Sequence, residues 1–494
     1  MPTLSRRRFL ATAAAIAAAP ALPGIARAAA PIGPASIGLL AERRTIEVSG
    51  KAASMLALRR ADGGYGLTLD AGDRFQVELT NRLDIPTLIH WHGLTPPTDQ
   101  DGVPGFSQSP LEPGAIHAYD FALARPGTNW MHSHVGLQEQ LLLAAPLIIR
   151  DPAESGIDEQ EVVVMLHDFT FRDPDEILAD LRGGAGMGAM GHDMSGMASG
   201  DMSGMSMGGE AMSGMDMSGT MSADMPMDLN DIDFDAYLAN DRTLDDPEVV
   251  AVEAGGRVRL RLINGAAATN FVIDLGALVG TLIAVDGMAI VPVVASRFEI
   301  GIANRLDIRL QLPGAGAWPI LAQREGDRAR TGIVLASKST TVAKLAANAE
   351  TAAEALDLRF ESRLLAAAPL APRLADRVHR VDLTGGMAGY DWTLNNGALD
   401  HRRHLKVRHG ERVHLVITNR TGMAHPMHLH GHHFQVIALG DKAYAGAVRD
   451  TLLVPRNAAV TLAFDADNPG TWALHCHNLY HMLAGMMTGV AYES

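Results

Sequence analysis

Histidines separated by a single residue occur at four places in the 494-residue sequence. The four places begin with the pairs His90 and His92, His132 and His134, His428 and His430, and His475 and His477, and His432 follows the third pair at the same spacing. In a β-strand, residues i and i+2 project from the same face, so each pair would present two imidazoles to one volume. One such pair is as readily a hydrogen-bonded strand edge as a metal site, but four pairs together predict a metal cluster.

The only cysteine, Cys476, stands between the two histidines of the last pair. If this tripeptide is extended, the thiol points away from both imidazoles and meets a different metal ion. Further residues that could ligate that ion are His425, His481 and Met486. Two imidazoles, a thiolate and a weakly bound thioether form the ligand set of a blue-copper electron-transfer site. Zinc accepts nitrogen and sulfur too, but it carries no electrons and leaves the other eight histidines without a role.

In type, spacing and order, these motifs resemble those of the three-domain multicopper oxidases, the family of laccases and bacterial cuprous oxidases. The resemblance covers nearly all of the chain beyond its N-terminal segment, and it implies four copper ions. The type 1 ligands would be His425, Cys476, His481 and axial Met486, and the type 2 ligands would be His90 and His428. One type 3 copper would be held by His92, His132 and His477, and the other by His134, His430 and His475.

The resemblance also implies a reaction with dioxygen as the electron acceptor. An electron would enter at the type 1 copper and pass through Cys476 to the trinuclear cluster, where four electrons reduce dioxygen to water. Asp101, in "DGVPG", matches the family's acid near the type 2 copper and would supply protons, although an aspartate before glycine is equally typical of a plain turn. Asp101 and Cys476 are therefore the predicted catalytic residues. The cuprous oxidases often carry an acid after the last type 1 histidine, whereas this chain has none from His475 through Met486.

A methionine-rich segment between Gly183 and Asp228 suggests the electron donor. Thirteen of the 24 methionines lie there, and the sequence "MSGM" recurs three times. Such a segment cannot bury a core, so we expect a disordered loop. Thioethers favour Cu(I), and the loop therefore favours cuprous ion as the donor. The candidate cuprous-ion ligands are Met423, Met194, Met197, Met202, Met205, Met212 and Met215.

Other functions share these features. Thr421 stands where the resembling cuprous oxidases have an aspartate, and their methionine-rich insert lies in the third domain instead of the second. A laccase-like enzyme would keep every copper ligand and oxidise phenols or aromatic amines, and deleting residues 187–227 should then raise phenol oxidation. A copper-sequestering protein would store metal on the same methionines and consume no oxygen. The segment could also be a plain flexible linker.

A strand pattern that occurs three times indicates the elements that must position these residues. Residues 72–81, 255–264 and 410–419 each read Gly-x-Arg, then apolar residues at alternate positions, then Asn. Three such strands predict three similar β domains, and the resemblance implies an all-β fold of cupredoxin-like Greek-key barrels. The predicted domains are 38–150, 151–336 with the insert 183–228, and 378–494, with 337–377 as a partly helical connector. The second domain has no histidine pair, so it is predicted to be a spacer, and the cluster should form between the first and third.

The N-terminus and the charge predict an exported acidic protein. Residues 1–28 have the arginines, apolar run and Ala-x-Ala ending of a twin-arginine signal peptide. The apolar run is shorter than the roughly 20 residues that span a bilayer, so we expect no stable membrane anchor. Removing residues 1–28 takes away four arginines and no acid, which changes the formal charge from −15 to −19 and argues against nucleic-acid binding. We predict a periplasmic monomer, exported by the twin-arginine machinery, that serves copper tolerance.

Overall fold

The computed structural model describes residues 36–183 and 229–493. The predicted signal peptide and most of the methionine-rich segment lie outside these residues. So do six candidate cuprous-ion ligands, namely Met194, Met197, Met202, Met205, Met212 and Met215. Among the described residues, no helix has the length and apolar character needed to cross a membrane.

Residues 37–150, the first unit, form two four-stranded sheets around one core. The strands are β1 (Ile37–Val48), β2 (Lys51–Arg60), β3 (Leu67–Asp70), β4 (Arg74–Asn81), β5 (Ile89–His92), β6 (Ile116–Ala122), β7 (Gly127–Ser133) and β8 (Ala144–Arg150). The sheet orders are β2-β1-β4-β6 and β3-β8-β7-β5. Phe75, Trp91 and Tyr119 lie at the centre of the core and bring residues of both sheets into contact.

Residues 160–337, the second unit, form a six-stranded and a five-stranded sheet. The elements are β9 (Gln160–Phe169), α1 (Pro174–Arg182), β10 (Ala236–Ala239), β11 (Val249–Val252), β12 (Arg257–Asn264), β13 (Phe271–Asp274), β14 (Gly280–Val285), β15 (Met288–Ala295), β16 (Arg297–Ile300), β17 (Arg305–Gln311), β18 (Ala317–Arg324) and β19 (Arg330–Ser337). The orders are β10-β9-β12-β17-β14-β15 and β11-β19-β18-β13-β16. In the sequence, the methionine-rich segment follows α1 and Gly183.

Residues 377–492, the third unit, also contain two sheets. The strands and helix are β20 (Arg377–Gly386), β21 (Asp391–Leu394), β22 (Leu405–Val407), β23 (Arg412–Asn419), β24 (His425–Leu429), β25 (Phe434–Leu439), β26 (Lys442–Ala443), β27 (Val448–Arg449), β28 (Thr451–Val454), β29 (Ala459–Asp465), β30 (Thr471–Cys476), α3 (Leu479–Leu483) and β31 (Met487–Tyr492). The orders are β21-β20-β23-β29-β25-β26, with β27 on β25, and β22-β31-β30-β24-β28. Before this unit, the connecting residues contain one short helix, α2 (Leu358–Glu361).

The repeated sequence pattern forms the same strand in all three units. β4, β12 and β23 each pair in parallel with an earlier strand, β1, β9 and β20 respectively, and antiparallel with a later one. The asparagine that ends each copy is buried, and its side-chain amide donates to backbone carbonyls of two later segments. The asparagines are Asn81, Asn264 and Asn419. Each copy therefore provides a central strand and a buried amide that holds the later segments by hydrogen bonds. The predicted all-β class is confirmed.

Candidate metal centres

Two antiparallel strand pairs bring the histidine pairs into register. β5 pairs with β7 so that His90 lies opposite His132. β24 pairs with β30 so that His428 lies opposite His475. Because side chains alternate along a strand, Cys476 projects to the face opposite His475. The local period of two thus separates the thiol from the histidines that flank it.

Imidazoles of the first and third units meet in one cluster. His92 stacks on His428 with ring centroids 3.8 Å apart and planes inclined by 15°. His90 lies 3.9 Å from His430 between ring centroids. The structure brings together all eight predicted cluster histidines, namely His90, His92, His132, His134, His428, His430, His475 and His477. Seven of them are buried and His134 is partly buried.

Six ring nitrogens in this cluster have no hydrogen-bond partner among the described residues. They are Nδ1 of His92 and Nε2 of His90, His132, His134, His428 and His477. Unpartnered buried polar atoms are costly, so six of them converging on one volume fit a metal centre better than a hydrogen-bonded core. The Nε2 atoms of His430 and His475 lie 3.0 Å apart, and with His134 these residues place three ligand atoms within 4.8 Å of one another. An all-imidazole donor set of this kind suits copper.

Asp101 contacts one ring from each of the two units. It is 1% exposed, and its Oδ2 accepts a hydrogen bond from His430 Nδ1 at 2.9 Å. Its Oδ1 lies 3.2 Å from His90 Nδ1. Such outer hydrogen bonds select the ring tautomer and direct the other nitrogen inward. The structure therefore places Asp101 beside the histidine cluster.

Two more buried carboxylates contact the cluster, and sequence reasoning missed both. Glu139 Oε2 lies 2.7 Å from His132 Nδ1, and its Oε1 lies 3.8 Å from His477 Nδ1. Asp450 Oδ1 accepts from His92 Nε2 at 3.0 Å. Glu139 follows the second histidine pair by five residues and stands between two glutamines, a setting that belongs to no metal-binding motif.

A second constellation lies on the opposite face of β30. Cys476 Sγ lies 3.6 Å from His425 Nδ1 and 3.7 Å from His481 Nδ1, and the two nitrogens are 3.0 Å apart. All three side chains are fully buried. Met486 is also fully buried, and its backbone N–H donates to the carbonyl of His481 at 3.1 Å. One thiol and two imidazoles are therefore within reach of a single ion, beside the predicted axial methionine.

Helix α3 explains the spacing between Cys476 and His481. Asn478 caps this helix, and its side-chain oxygen accepts from the backbone N–H groups of Tyr480 at 3.1 Å and His481 at 3.3 Å. The turn that follows returns the chain to the end of β30. The ring of Trp392 packs against His481 with centroids 4.4 Å apart. Capping and packing together hold the imidazole beside the thiol.

A polar side chain covers the outer nitrogen of each imidazole at this second site. Thr421 Oγ1 lies 2.7 Å from His425 Nε2. Asp231 Oδ2 lies 2.7 Å from His481 Nε2 and also accepts from the hydroxyl of Tyr390. Asp231 belongs to the chain that leaves the methionine-rich segment, and its side chain is 0% exposed. Sequence reasoning had noted Thr421 but had no motif that could identify Asp231.

Burial determines the protonation of both ligand sets. It lowers the pKa well below the ordinary value in seven histidines, and it lowers that of His475 to about 4. The seven are His92, His132, His134, His425, His428, His430 and His477. Burial also raises the pKa of the Cys476 thiol and that of Glu139. These eight imidazoles are therefore neutral and ready to bind metal, whereas a metal must displace the thiol proton.

Other predicted residues have simpler settings. Met423 is partly buried and packs against the core of the third unit, which contains Cys476. His432 follows the third histidine pair, and its Nδ1 and Nε2 lie within hydrogen-bond distance of the His430 carbonyl and the Tyr492 hydroxyl, at 3.1 Å and 2.7 Å. Both nitrogens of His432 are thus occupied, whereas six cluster histidines each keep one nitrogen without a partner among the described residues.

Comparisons with known proteins agree with this geometry. Family models described as multicopper oxidase match residues 42–154, 160–346 and 374–494. The chain is 32% identical to "Multicopper oxidase MmcO" of Mycobacterium tuberculosis, over 90% of this chain and 85% of that protein. It is 27% identical to "Copper resistance protein A homolog" of Pseudomonas syringae pv. tomato, over 91% of this chain and 90% of the relative.

The fold has solved counterparts. The structure of laccase from Botrytis aclada covers 92% of this chain and 87% of its own, with a TM-score of 0.73 and 24% identity. This likeness identifies the fold as the three-domain cupredoxin-like architecture. With three matched regions and a relative at 32% identity across most of its length, the chain belongs to the multicopper oxidases, a family of copper-dependent oxidoreductases.

Proposed function

We propose that this chain oxidises a donor, most favourably cuprous ion, one electron at a time and uses four electrons to reduce dioxygen to two water molecules. The observation that carries the proposal is the tripeptide His475-Cys476-His477. Its thiol belongs to one ligand set and its two imidazoles belong to the other. A protein that only stores copper has no need for this covalent link between two sites.

The proposed ligands are those implied by the family resemblance. The type 1 set is His425, Cys476, His481 and Met486, the type 2 set is His90 and His428, and the type 3 sets are His92, His132 and His477, and His134, His430 and His475. Copper bound in these positions would supply four one-electron redox centres, the number that full reduction of dioxygen requires. The inward, unpartnered ring nitrogens support this assignment.

The chain's own residues provide the route and the orientation. Cys476 is bonded through the backbone to both neighbouring histidines, and its carbonyl oxygen also lies 2.9 Å from His475 Nδ1. Two short paths therefore lead from the thiol to the cluster. Asp101 orients His90 and His430, and we propose that it also delivers protons, because it is a buried carboxylate in contact with the cluster.

Contacts at both ends of the methionine-rich segment support cuprous ion as the donor. Before the segment, Arg182 Nη2 donates to the carbonyl of Leu483 at 2.9 Å. After it, Asp231 contacts His481. The residues that flank the segment, Arg182 and Asp231, thus contact residues of α3 beside the proposed type 1 site. Met423 lies two residues before the type 1 ligand His425. Soft thioethers, which both Met423 and the composition of the segment supply, suit delivery of Cu(I).

The covered type 1 imidazoles also favour a small donor over a phenol. His425 and His481 are fully buried, and Thr421 and Asp231 occupy their outer nitrogens. An aromatic substrate would not touch either ring directly. The Asp231 carboxylate beside His481 has a buried Oδ1 with no hydrogen-bond partner among the described residues, which suits a small cation better than an aromatic ring.

Oxygen consumption with cuprous ion and with a phenol tests the donor. We compare the full protein, a deletion of residues 187–227, and a control of unchanged length in which the thirteen methionines of that range become serine. We expect both variants to lose roughly tenfold in kcat/KM for cuprous ion, the effect of about 1.4 kcal/mol of binding, and to keep phenol oxidation. Increased phenol oxidation with unchanged cuprous turnover would favour a laccase. Absence of oxygen uptake with cuprous ion would favour copper sequestration.

We further propose that the protein is a periplasmic monomer, exported by the twin-arginine route, that serves copper tolerance. The signal-like residues 1–28 and the similarity to a protein named for copper resistance support this proposal. The proposed domains remain 38–150, 151–336 and 378–494, joined by the connector 337–377. The matched family regions, which begin and end near these limits, support them.

A further inference from the structure

Asp450 lies where the three units meet beside the histidine cluster. Its Oδ1 accepts from His92 Nε2 at 3.0 Å, and its backbone carbonyl accepts from His428 Nδ1 at 2.9 Å. Thr451 Oγ1 donates to the same Oδ1 at 2.9 Å. One residue therefore orients an imidazole from the first unit and one from the third. With their outer nitrogens held, His92 directs Nδ1 and His428 directs Nε2 toward the cluster.

Arg305, from the second unit, holds the Asp450 carboxylate. Its Nη1 donates to Oδ1 at 2.8 Å and its Nη2 donates to Oδ2 at 2.6 Å, which makes a two-pronged ion pair. Its Nε donates to the backbone carbonyl of Thr128 in the first unit at 3.0 Å. The side chain of Arg305 is 0% exposed. Its guanidinium thus links all three units at one point.

Gly93 makes room for Arg305, and Asp286 fixes its backbone. Gly93 directly follows the cluster residue His92 and has a φ of +95°. A Cβ atom at this position would lie 2.5 Å from Arg305 Nη2 and 2.3 Å from Asn129 Oδ1, so only glycine leaves room for the guanidinium. The backbone N–H of Arg305 donates to Asp286 Oδ1 at 2.8 Å, which anchors the start of β17.

We infer that Arg305 is a positioning residue for the copper cluster and acts through Asp450. The second unit, which holds no proposed ligand, then determines how firmly the cluster of the other two units binds copper. This inference rests on the proposed function, because it takes His92 and His428 as cluster ligands. Without Arg305, the Asp450 carboxylate can rotate and the tautomer of His92 is no longer imposed.

Arg305→Gln tests the inference against a matched control, Arg261→Gln. Arg261 is also in the second unit and is 2% exposed, and its Nη1 donates to Asp307 at 2.8 Å and to Thr128 Oγ1 at 2.9 Å. Its hydrogen bonds and ion pairs with the described residues involve Glu161, Thr128 and Asp307 and no cluster histidine. Both variants lose a buried ion pair at an interface, but only Arg305→Gln changes the support of Asp450.

We expect Arg305→Gln to weaken copper binding by the cluster about 10- to 100-fold in competition with a chelator. The near-ultraviolet absorption of the type 3 pair should fall while the blue type 1 absorption remains. Arg305→Lys keeps the charge but cannot make the two-pronged ion pair with Asp450, so its cluster should bind copper with an affinity between those of the original protein and Arg305→Gln. Arg261→Gln should lower the thermal midpoint of the copper-free protein and leave copper per chain unchanged.

Two results would overturn the inference. One is unchanged cluster affinity in Arg305→Gln, and the other is an equal loss of type 1 and cluster copper in both variants. His92→Ala separates this failure from a failure of the proposed function. If His92→Ala keeps all cluster copper, the ligand assignment is wrong, whereas if it loses that copper and Arg305→Gln does not, only the role of Arg305 is wrong.

Discussion

Three cluster imidazoles divide their two nitrogens between a buried acid and the centre of the site. His90, His92 and His132 turn one nitrogen to Asp101, Asp450 and Glu139 respectively, and the other nitrogen of each has no partner among the described residues. Two of these acids come from positions that no sequence motif marks. Cys476 is different, because burial raises the pKa of its thiol and only a metal can favour the thiolate. The capacity of these side chains to bind metal therefore depends on the ring nitrogens that have no hydrogen-bond partner as much as on the contacts that orient the rings.

Cys476→Ser should remove the blue absorption and the turnover while leaving the fold intact. Serine nearly matches the volume of cysteine but cannot provide a thiolate, so the type 1 site loses its charge-transfer ligand. Absorption and oxygen-uptake measurements, with circular dichroism to monitor the fold, check this outcome. His432→Gln is the control, because His432 is buried next to the cluster but uses both nitrogens elsewhere. Blue colour that persists in Cys476→Ser would contradict the type 1 assignment.

Single strands combine structural and functional roles in this fold. β30 carries Cys476 on one face and His475 on the other. β9 places the buried His167 opposite Leu238 of β10. His167 Nδ1 lies 2.9 Å from the carbonyl of Gly265, whereas its Nε2 has no partner. Burial lowers its pKa from 6.5 to about 4. A strand that buries a neutral imidazole therefore makes stability depend on pH.

The free energy of unfolding should depend less on pH in His167→Gln than in the original chain. Because the folded pKa is about 4 and the unfolded value is 6.5, only the unfolded chain binds a proton at His167 as the pH falls from 7 to 5. This difference removes about 2 kcal/mol of stability over that range. Denaturant unfolding of both copper-free proteins at the two pH values measures it. Equal losses in the two proteins would show that His167 does not titrate in this way.

Across the whole molecule, the cluster is an interface between units that are far apart in sequence. His92 and Asp450 are separated by 358 positions yet share a hydrogen bond. Arg305 adds the second unit to the same junction. Copper binding and the docking of the units are therefore expected to be coupled, since the ligands converge only when the units are together.

Removing copper with a chelator should lower the thermal midpoint of the protein. Ions that bind only the folded chain add about 4 kcal/mol each when their free concentration is 1,000 times Kd. Calorimetry of the loaded and copper-free protein measures the difference. In Cys476→Ser, copper loading should still raise the thermal midpoint by most of the amount seen in the original protein. This variant lacks only the type 1 ion and keeps the ions that join two units. Equal midpoints with and without copper would argue against the coupling.

The sequence by itself determined the strand pattern, the pairing of histidines and the separation of Cys476 from its neighbours. These are local properties, since an extended chain alternates its side chains whatever surrounds it. Only the tertiary structure decided that Glu139, Asp450 and Asp231 contact the proposed ligands and that Arg305 supports one of them. These contacts join distant segments, and the packing of three units, not the spacing of residues along the chain, determines them.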